Sequence, residues 1–224
     1  MTIFTIKIIA CITMFLDHIK YAIPATENFL TMYLGRLSFP LFAFSITEGY
    51  LHTSNLKKYY KRLIIFGIIS QIPFLYFRTL VGEWKMLNIM FTLMFGLMCI
   101  NVYDKIEKKY ISIPIVIAII IFGDLLNVDY GWLGILAVFF IYLFRDKRQF
   151  LPLIYGIILF VYYYCAVGKD IFIVQNLLSI VFACMSMFII IAYNGKQGKK
   201  LKYFFYWFYP IHLIIIDLIS LVAL

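Results

Sequence analysis

Residues 171–193 read IFIVQNLLSIVFACMSMFIIIAY, 23 residues without one charge, and residues 194–202, NGKQGKKLK, carry four lysines. A helix needs about 20 mostly apolar residues to cross the hydrocarbon of a bilayer. The stretch therefore reads as one membrane span followed by a basic loop. The same alternation runs through the chain, with spans expected at about 3–23, 33–50, 63–77, 86–103, 111–126, 130–144, 150–167, 171–193 and 203–224. Several are short, which tilt, local thinning or one mis-split pair would accommodate. Nine spans leave little sequence for loops, so residues 1–224 are read as a single all-α, polytopic membrane bundle of about nine transmembrane helices.

Composition agrees. The chain has 224 residues, 64% apolar and only 14% charged, with a mean hydropathy of +0.95. A soluble domain is about 45–50% apolar and about 25% charged, so soluble enzymes, disordered regions and disulfide scaffolds are excluded. The four cysteines fall inside spans and are expected to pack as small apolar residues. The first span is too long for a signal-peptide core and carries Asp17 and His18, so it is expected to be retained.

Basic residues collect on one side, as in cytoplasmic loops. Lys57, Lys58, Lys61 and Arg62 follow the second span; Lys105, Lys108 and Lys109 the fourth; Arg145, Lys147 and Arg148 the sixth; Lys196, Lys199, Lys200 and Lys202 the eighth. With Lys7 these make 15, against Arg78, Lys85 and Lys169 in the alternate loops. The expected topology has the amino terminus in the cytoplasm and the carboxyl terminus outside, in a multi-pass protein of the cell membrane. The net charge of +9 is then read as attraction to anionic headgroups rather than to nucleic acid. No phosphate-binding loop, dinucleotide fingerprint or nucleophile elbow is present. Three histidines are too few to argue a metal site, and no metal is expected.

Ionisable residues at membrane depth each cost roughly 2.5–3.5 kcal/mol and mark pathways or active sites. Asp17 and His18 lie in the outer half of the first span; His18 suits proton transfer near neutral pH, while a structural pair beside Lys20 is the plainer reading. The second span holds Arg36, Pro40 and Glu48, with His52 one turn beyond Glu48. Pro40 is expected to bend that helix, Arg36 to pair with Asp17, and a cation of the following loop to neutralise Glu48. His212, two residues after Pro210 and ahead of Asp217, is the deepest histidine. Gln71, Asn88, Thr92, Asp124 and Asn127 are weaker candidates that interhelical hydrogen bonds would explain.

Several motifs in order resemble the TraX family of membrane proteins, which is linked to amino-terminal acetylation of conjugative pilin. They include Met14-Phe15-Leu16-Asp17-His18, Gly35-Arg36-Leu37-Ser38-Phe39-Pro40, Glu48-Gly49-Tyr50-Leu51-His52, Lys58-Tyr59 with Arg62, and Ser70-Gln71-Ile72-Pro73. Asn88-Ile89-Met90-Phe91-Thr92, Asp129-Tyr130-Gly131, Tyr193-Asn194-Gly195-Lys196 and Tyr209-Pro210-Ile211-His212 follow. One departure is Gln71, where an acid is common in the family, so a hydrogen-bonding role is expected there.

The resemblance implies an acyltransferase moving an acetyl group from cytosolic acetyl-CoA to an amine or hydroxyl of an extracytoplasmic acceptor: a pilin-like peptide, a glycan or a lipid. His18 is expected as general base, with His212 as second catalytic or orienting group and Asp17 and Arg36 in support. Arg62, Lys58 and the Asn194-Gly195 loop are expected to receive the coenzyme's phosphates. Glu48, His52, Gln71, Asn88, Tyr130 and Tyr209 complete the binding candidates. The expected partners are acetyl-CoA, the acceptor and the bilayer, with homo-oligomerisation left open. Two rival readings are a proton-coupled transporter and a non-catalytic assembly factor for pili or surface polymers.

Overall fold

The computed structural model describes residues 1–80, 82 and 85–223; Leu224, the last residue of the ninth expected span, lies outside them. Among the described residues ten α-helices follow in order: α1 (Ile3–Ala22), α2 (Phe29–Tyr33), α3 (Ser38–Leu51), α4 (Leu56–Thr79), α5 (Ile89–Lys105), α6 (Lys109–Leu125), α7 (Gly131–Leu143), α8 (Leu151–Val167), α9 (Val174–Ile191) and α10 (Lys202–Ala223). Apart from the single turn and a half of α2, each helix falls on one expected span. Among the described residues there is no strand, only an isolated bridge between Leu87 and Val128.

Four segments among the described residues are long and apolar enough to cross a membrane: Phe29–Leu51, Arg148–Phe172, Val174–Ile191 and Lys202–Val222. The remaining helices are either short, α5 and α6 at 17 residues and α7 at 13, or carry charges, as α1 and α4 do. Outward faces of α6 (Ile113, Ile117, Ile121), α8 (Leu153, Ile157, Val161) and α9 (Val181, Phe188) are exposed and apolar. Water does not favour apolar surface of that extent, and a bilayer does.

Helix α3 is the centre of the bundle. From Ser38 to Glu48 every residue but Phe42 is buried, and the helix packs against α1, α5, α7 and α9, while α10 packs on α1 and α4. The break in this segment is not at Pro40. Pro40 is the third residue of α3, where a backbone N–H has no intrahelical acceptor to lose. The chain turns instead through a 3₁₀ segment at Leu34–Leu37. It follows α2, whose start is fixed by a reciprocal cap: Asn28 Oδ1 accepts from the Thr31 amide at 3.1 Å, and Thr31 Oγ1 accepts from the Asn28 amide at 3.0 Å. Nor do Lys57 to Arg62 form a loop. Asn55 Oδ1 accepts from the Lys58 amide at 2.9 Å, so α4 starts seven residues before the expected span and these cations occupy its first two turns.

The basic connections gather at one end of the bundle. Tyr50 of α3 and Tyr142 of α7 each donate to an Asp104 oxygen at the end of α5, at 2.7 and 2.5 Å. The Arg148 guanidinium approaches Glu48 at 3.7 Å, and the Ile3 amide donates to the Lys196 carbonyl at 3.0 Å. At the opposite end the α4–α5 and α6–α7 connections are stitched together. The Leu87 amide donates to Asn127 O at 2.9 Å and the Asp129 amide to Leu87 O at 2.8 Å, while the Asn127 side-chain amide donates to Lys85 O.

Candidate functional site

Tyr209, His212, Leu213 and Ile216 of α10 are buried at the three- and four-residue spacing that forms one helix face. That face meets α1, and there His18 and His212, 194 residues apart in sequence, touch. His18 Nδ1 lies 3.0 Å from His212 Nε2, with the rings nearly parallel and their centroids 5.1 Å apart. His212 Nδ1 lies 2.9 Å from the Phe208 carbonyl oxygen. Phe208 stacks on His212 at 4.7 Å, and Phe77 of α4 lies 4.6 Å from His18.

These contacts determine the tautomers of a neutral pair. A carbonyl only accepts, so His212 Nδ1 carries the proton. His212 Nε2 then offers a lone pair, and His18 Nδ1 must donate to it. The remaining free lone pair is on His18 Nε2. It belongs to the ring that lines a cavity of about 30 Å³, room for about two waters.

Met14, Asp17, Gly35, Ser38, Phe39, Ile89, Asp129, Tyr130 and Tyr209 form the rest of its wall. Asp17 accepts from Lys20 Nζ at 2.9 Å and presses on Gly35, where a Cβ would collide with the Asp17 side chain. The 3₁₀ turn at Leu34–Leu37 and α1 can approach this closely only with glycine at that position. Tyr130, in the left-handed conformation at φ 62°, stacks on Phe39 at 4.4 Å. Ser38 Oγ donates to Ala10 O at 3.1 Å.

The structure thus brings together His18, His212, Asp17, Tyr130 and Tyr209. Arg36 stands nearby, but its expected pairing with Asp17 is replaced. The Asp17 partner is Lys20, one helical turn away, and among the described residues Arg36 has no ion pair and its Nε no hydrogen bond. Glu48, His52, Lys58, Arg62, Asn194 and Gly195 lie toward the basic end. Glu48 is not neutralised by the following loop: Arg148, 100 residues on, and His52 each approach it at 3.7 Å. Arg62 Nε donates to Tyr206 Oη at 3.4 Å and its guanidinium lies over the Tyr59 ring. Lys58, His52, Asn194 and Gly195 are exposed.

Gln71 and Asn88 do not reach the cavity. Asn88 Nδ2 donates to Gln71 Oε1 at 2.8 Å and to Gly67 O at 2.7 Å, while Gln71 Nε2 donates to Met86 O at 2.8 Å. They clamp the middle of α4 to the start of α5, which a neutral amide does without a buried charge. Asp217 is buried and its Oδ1 has no partner among the described residues.

Asp129 is the acid that a search confined to spans passes over, because it sits in the turn before α7. The Asp129-Tyr130-Gly131 run was the available signal. Its backbone is held by Leu87 and by Thr92, whose Oγ1 donates to Asp129 O at 2.6 Å. Burial pushes its carboxyl up from 3.8 to about 6, against the pull of Arg78. A raised folded value means that the native protein holds its proton more tightly than the unfolded chain, so stability falls as pH rises from about 4 to about 6. Asp129→Asn should remove that part of the pH dependence, measured as the difference between the two proteins' melting temperatures in one detergent across that range.

Among the described residues no group of three His, Cys, Asp or Glu side chains could hold a metal ion. A family sequence model described as "TraX protein" matches residues 3–220. The probable fimbrial assembly protein FimC, serogroup H1, of Dichelobacter nodosus is 30% identical over 129 residues, which are 52% of this chain and 51% of that protein. The chain spans about half the length of this curated relative. No solved structure matches.

Proposed function

The chain belongs to the TraX family, and on that premise we propose that it is a membrane-embedded acetyltransferase. It takes acetyl groups from acetyl-CoA on the cytoplasmic side and delivers them to an amine or hydroxyl of an acceptor on the opposite side. The observation that carries this reading is the His18–His212 pair, which leaves one imidazole lone pair on a ring lining a buried polar cavity.

In this reading all nine long helices cross the inner membrane and the basic end faces the cytoplasm, as the positive-inside rule requires. Arg62, Lys58 and the Asn194–Gly195 loop receive the coenzyme's phosphates there. From Lys7 to His18, α1 rises about 16 Å, which the thioester arm spans along the helix seam. Two waters' worth of space does not hold an acetyl group and an acceptor, so side chains along the seam move aside when the donor enters.

His18 Nε2 takes the proton of the acceptor as its nitrogen or oxygen attacks the thioester carbonyl, and returns it to the sulfur as the C–S bond breaks, so that coenzyme A leaves as the thiol. Between these two transfers the imidazolium keeps its Nδ1–H on His212 Nε2, and His212 is held in turn by the Phe208 carbonyl. Asp17, the residue before His18 in α1, stabilises the positive ring. Orienting donor and acceptor in one dry chamber supplies a large further share of the acceleration.

The relative from Dichelobacter nodosus is named an assembly protein, which favours a second reading: a non-catalytic assembly factor. One experiment separates the two. Liposomes holding the purified protein are given acetyl-labelled coenzyme A and envelope material from the host lacking this gene. The enzyme reading predicts label in envelope material with wild type and none with His18→Gln. No label with either protein, together with surface assembly restored in the host by His18→Gln, would establish the assembly reading instead.

A further inference from the structure

Arg36 lies in the 3₁₀ turn that leads into α3, beside the cavity and not in its wall. The groups that act on its guanidinium are the Asp17 carboxylate and the phenols of Tyr130, Tyr163 and Tyr21, contributed by the turn before α7, by α8 and by α1. Every other charge in this neighbourhood has a partner. Lys20 is 2.9 Å from Asp17, and Arg78 interacts with Asp129. Among the described residues Arg36 alone of these has no ion pair, and its buried Nε finds no acceptor. A buried arginine is costly in a membrane protein, and a donor left without an acceptor adds to that cost. Such a group is stabilised when something brings it an acceptor.

We propose that Arg36 is the recognition site for a singly charged oxyanion carried by the acceptor, a carboxylate or a phosphodiester a few bonds from the nucleophile. A planar guanidinium presents paired N–H donors that match either group. One negative charge fits because Lys20 already neutralises Asp17, leaving a surplus of one positive charge at this rim. The flanking phenols supply apolar walls and hydroxyl donors. This assigns the acceptor side of the reaction: the nucleophile sits at His18 while its anionic neighbour rests on Arg36. The proposal rests on the acetyltransferase reading for calling the ligand an acceptor, but the binding it predicts is measurable without turnover.

The test uses the full chain in phosphatidylcholine nanodiscs, with dimethyl phosphate as the monoanionic probe and trimethyl phosphate as its neutral twin, both followed by saturation-transfer NMR. Wild type should bind dimethyl phosphate and ignore trimethyl phosphate. Arg36→Gln should weaken dimethyl phosphate about tenfold, the loss of one charge-assisted hydrogen bond, and Arg36→Lys should retain part of the binding and guard against misfolding of the glutamine variant. Equal binding by wild type and Arg36→Gln would place the anion on the other basic residues and overturn the assignment. Displacement of the probe by phosphatidylglycerol in the nanodisc would make the occupant a lipid headgroup and overturn its assignment to the acceptor. Neither outcome touches acetyl transfer, so failure here is distinct from failure of the enzyme reading.

Discussion

Replacing His18 with glutamine lowers acetyl transfer by about 10²–10⁴-fold, the range a positioned general base supplies. Glutamine retains a side chain of similar reach and one donor for His212, so the α1–α10 seam stays satisfied, but an amide takes no proton at neutral pH. The loss should appear in turnover and leave donor binding nearly unchanged. In His18→Ala, which vacates the ring's volume beside Phe77, added imidazole should recover part of the rate. The check is the initial rate of coenzyme A release by reconstituted protein at several donor concentrations. A turnover within threefold of wild type would remove His18 from the mechanism.

The second large effect belongs to His212, and it differs in kind. His212→Phe keeps a ring stacked on Phe208 but removes the acceptor of the His18 Nδ1 proton. The free ring can then take either tautomer, and the one with Nε2–H is no base. In serine proteases, removing the group that holds the base in its tautomer costs about 10⁴-fold. His212 is a neutral holder that contributes no charge, so about 10²-fold is expected here. The buried N–H it leaves behind should also lower stability by about 1–3 kcal/mol, seen as a lower melting temperature in the same detergent. His212→Gln, whose amide oxygen can accept from His18, should recover part of both. A loss greater than that of His18→Gln, with no recovery in the glutamine variant, would make His212 the base and exchange the two roles.

The helices were legible in the sequence because each depends on local hydropathy and on which side its flanking lysines fall. The starts of α3 and α4 were not. α3 begins where the 3₁₀ turn at Leu34–Leu37 ends and α4 where the Asn55 side chain accepts from the Lys58 amide, and hydropathy is blind to that geometry. This is why Pro40, read as a kink, turns out to lie harmlessly in a first turn. Charge partners were legible only at short range. The Asp17–Lys20 pair is three residues apart, whereas Glu48 and Arg148 meet across 100 residues, and no periodicity links them. His18 and His212 were singled out by the rarity of ionisable groups at depth, yet their contact, and with it the tautomers, required coordinates. Asp129 escaped because that rarity argument does not extend to turns, although this turn is folded back into the bundle.

The central claim is that the two imidazoles form one neutral relay whose free nitrogen is His18 Nε2. Nitrogen-15 NMR of histidine-labelled protein tests it most directly, since the chain has only three histidines and His52→Gln removes the exposed one from the spectrum. Near neutral pH the account predicts that His18 and His212 are both protonated at Nδ1 and bare at Nε2, with a hydrogen-bond coupling between His18 Nδ1 and His212 Nε2. A proton on His18 Nε2, or an imidazolium at either ring in the resting protein, would contradict it.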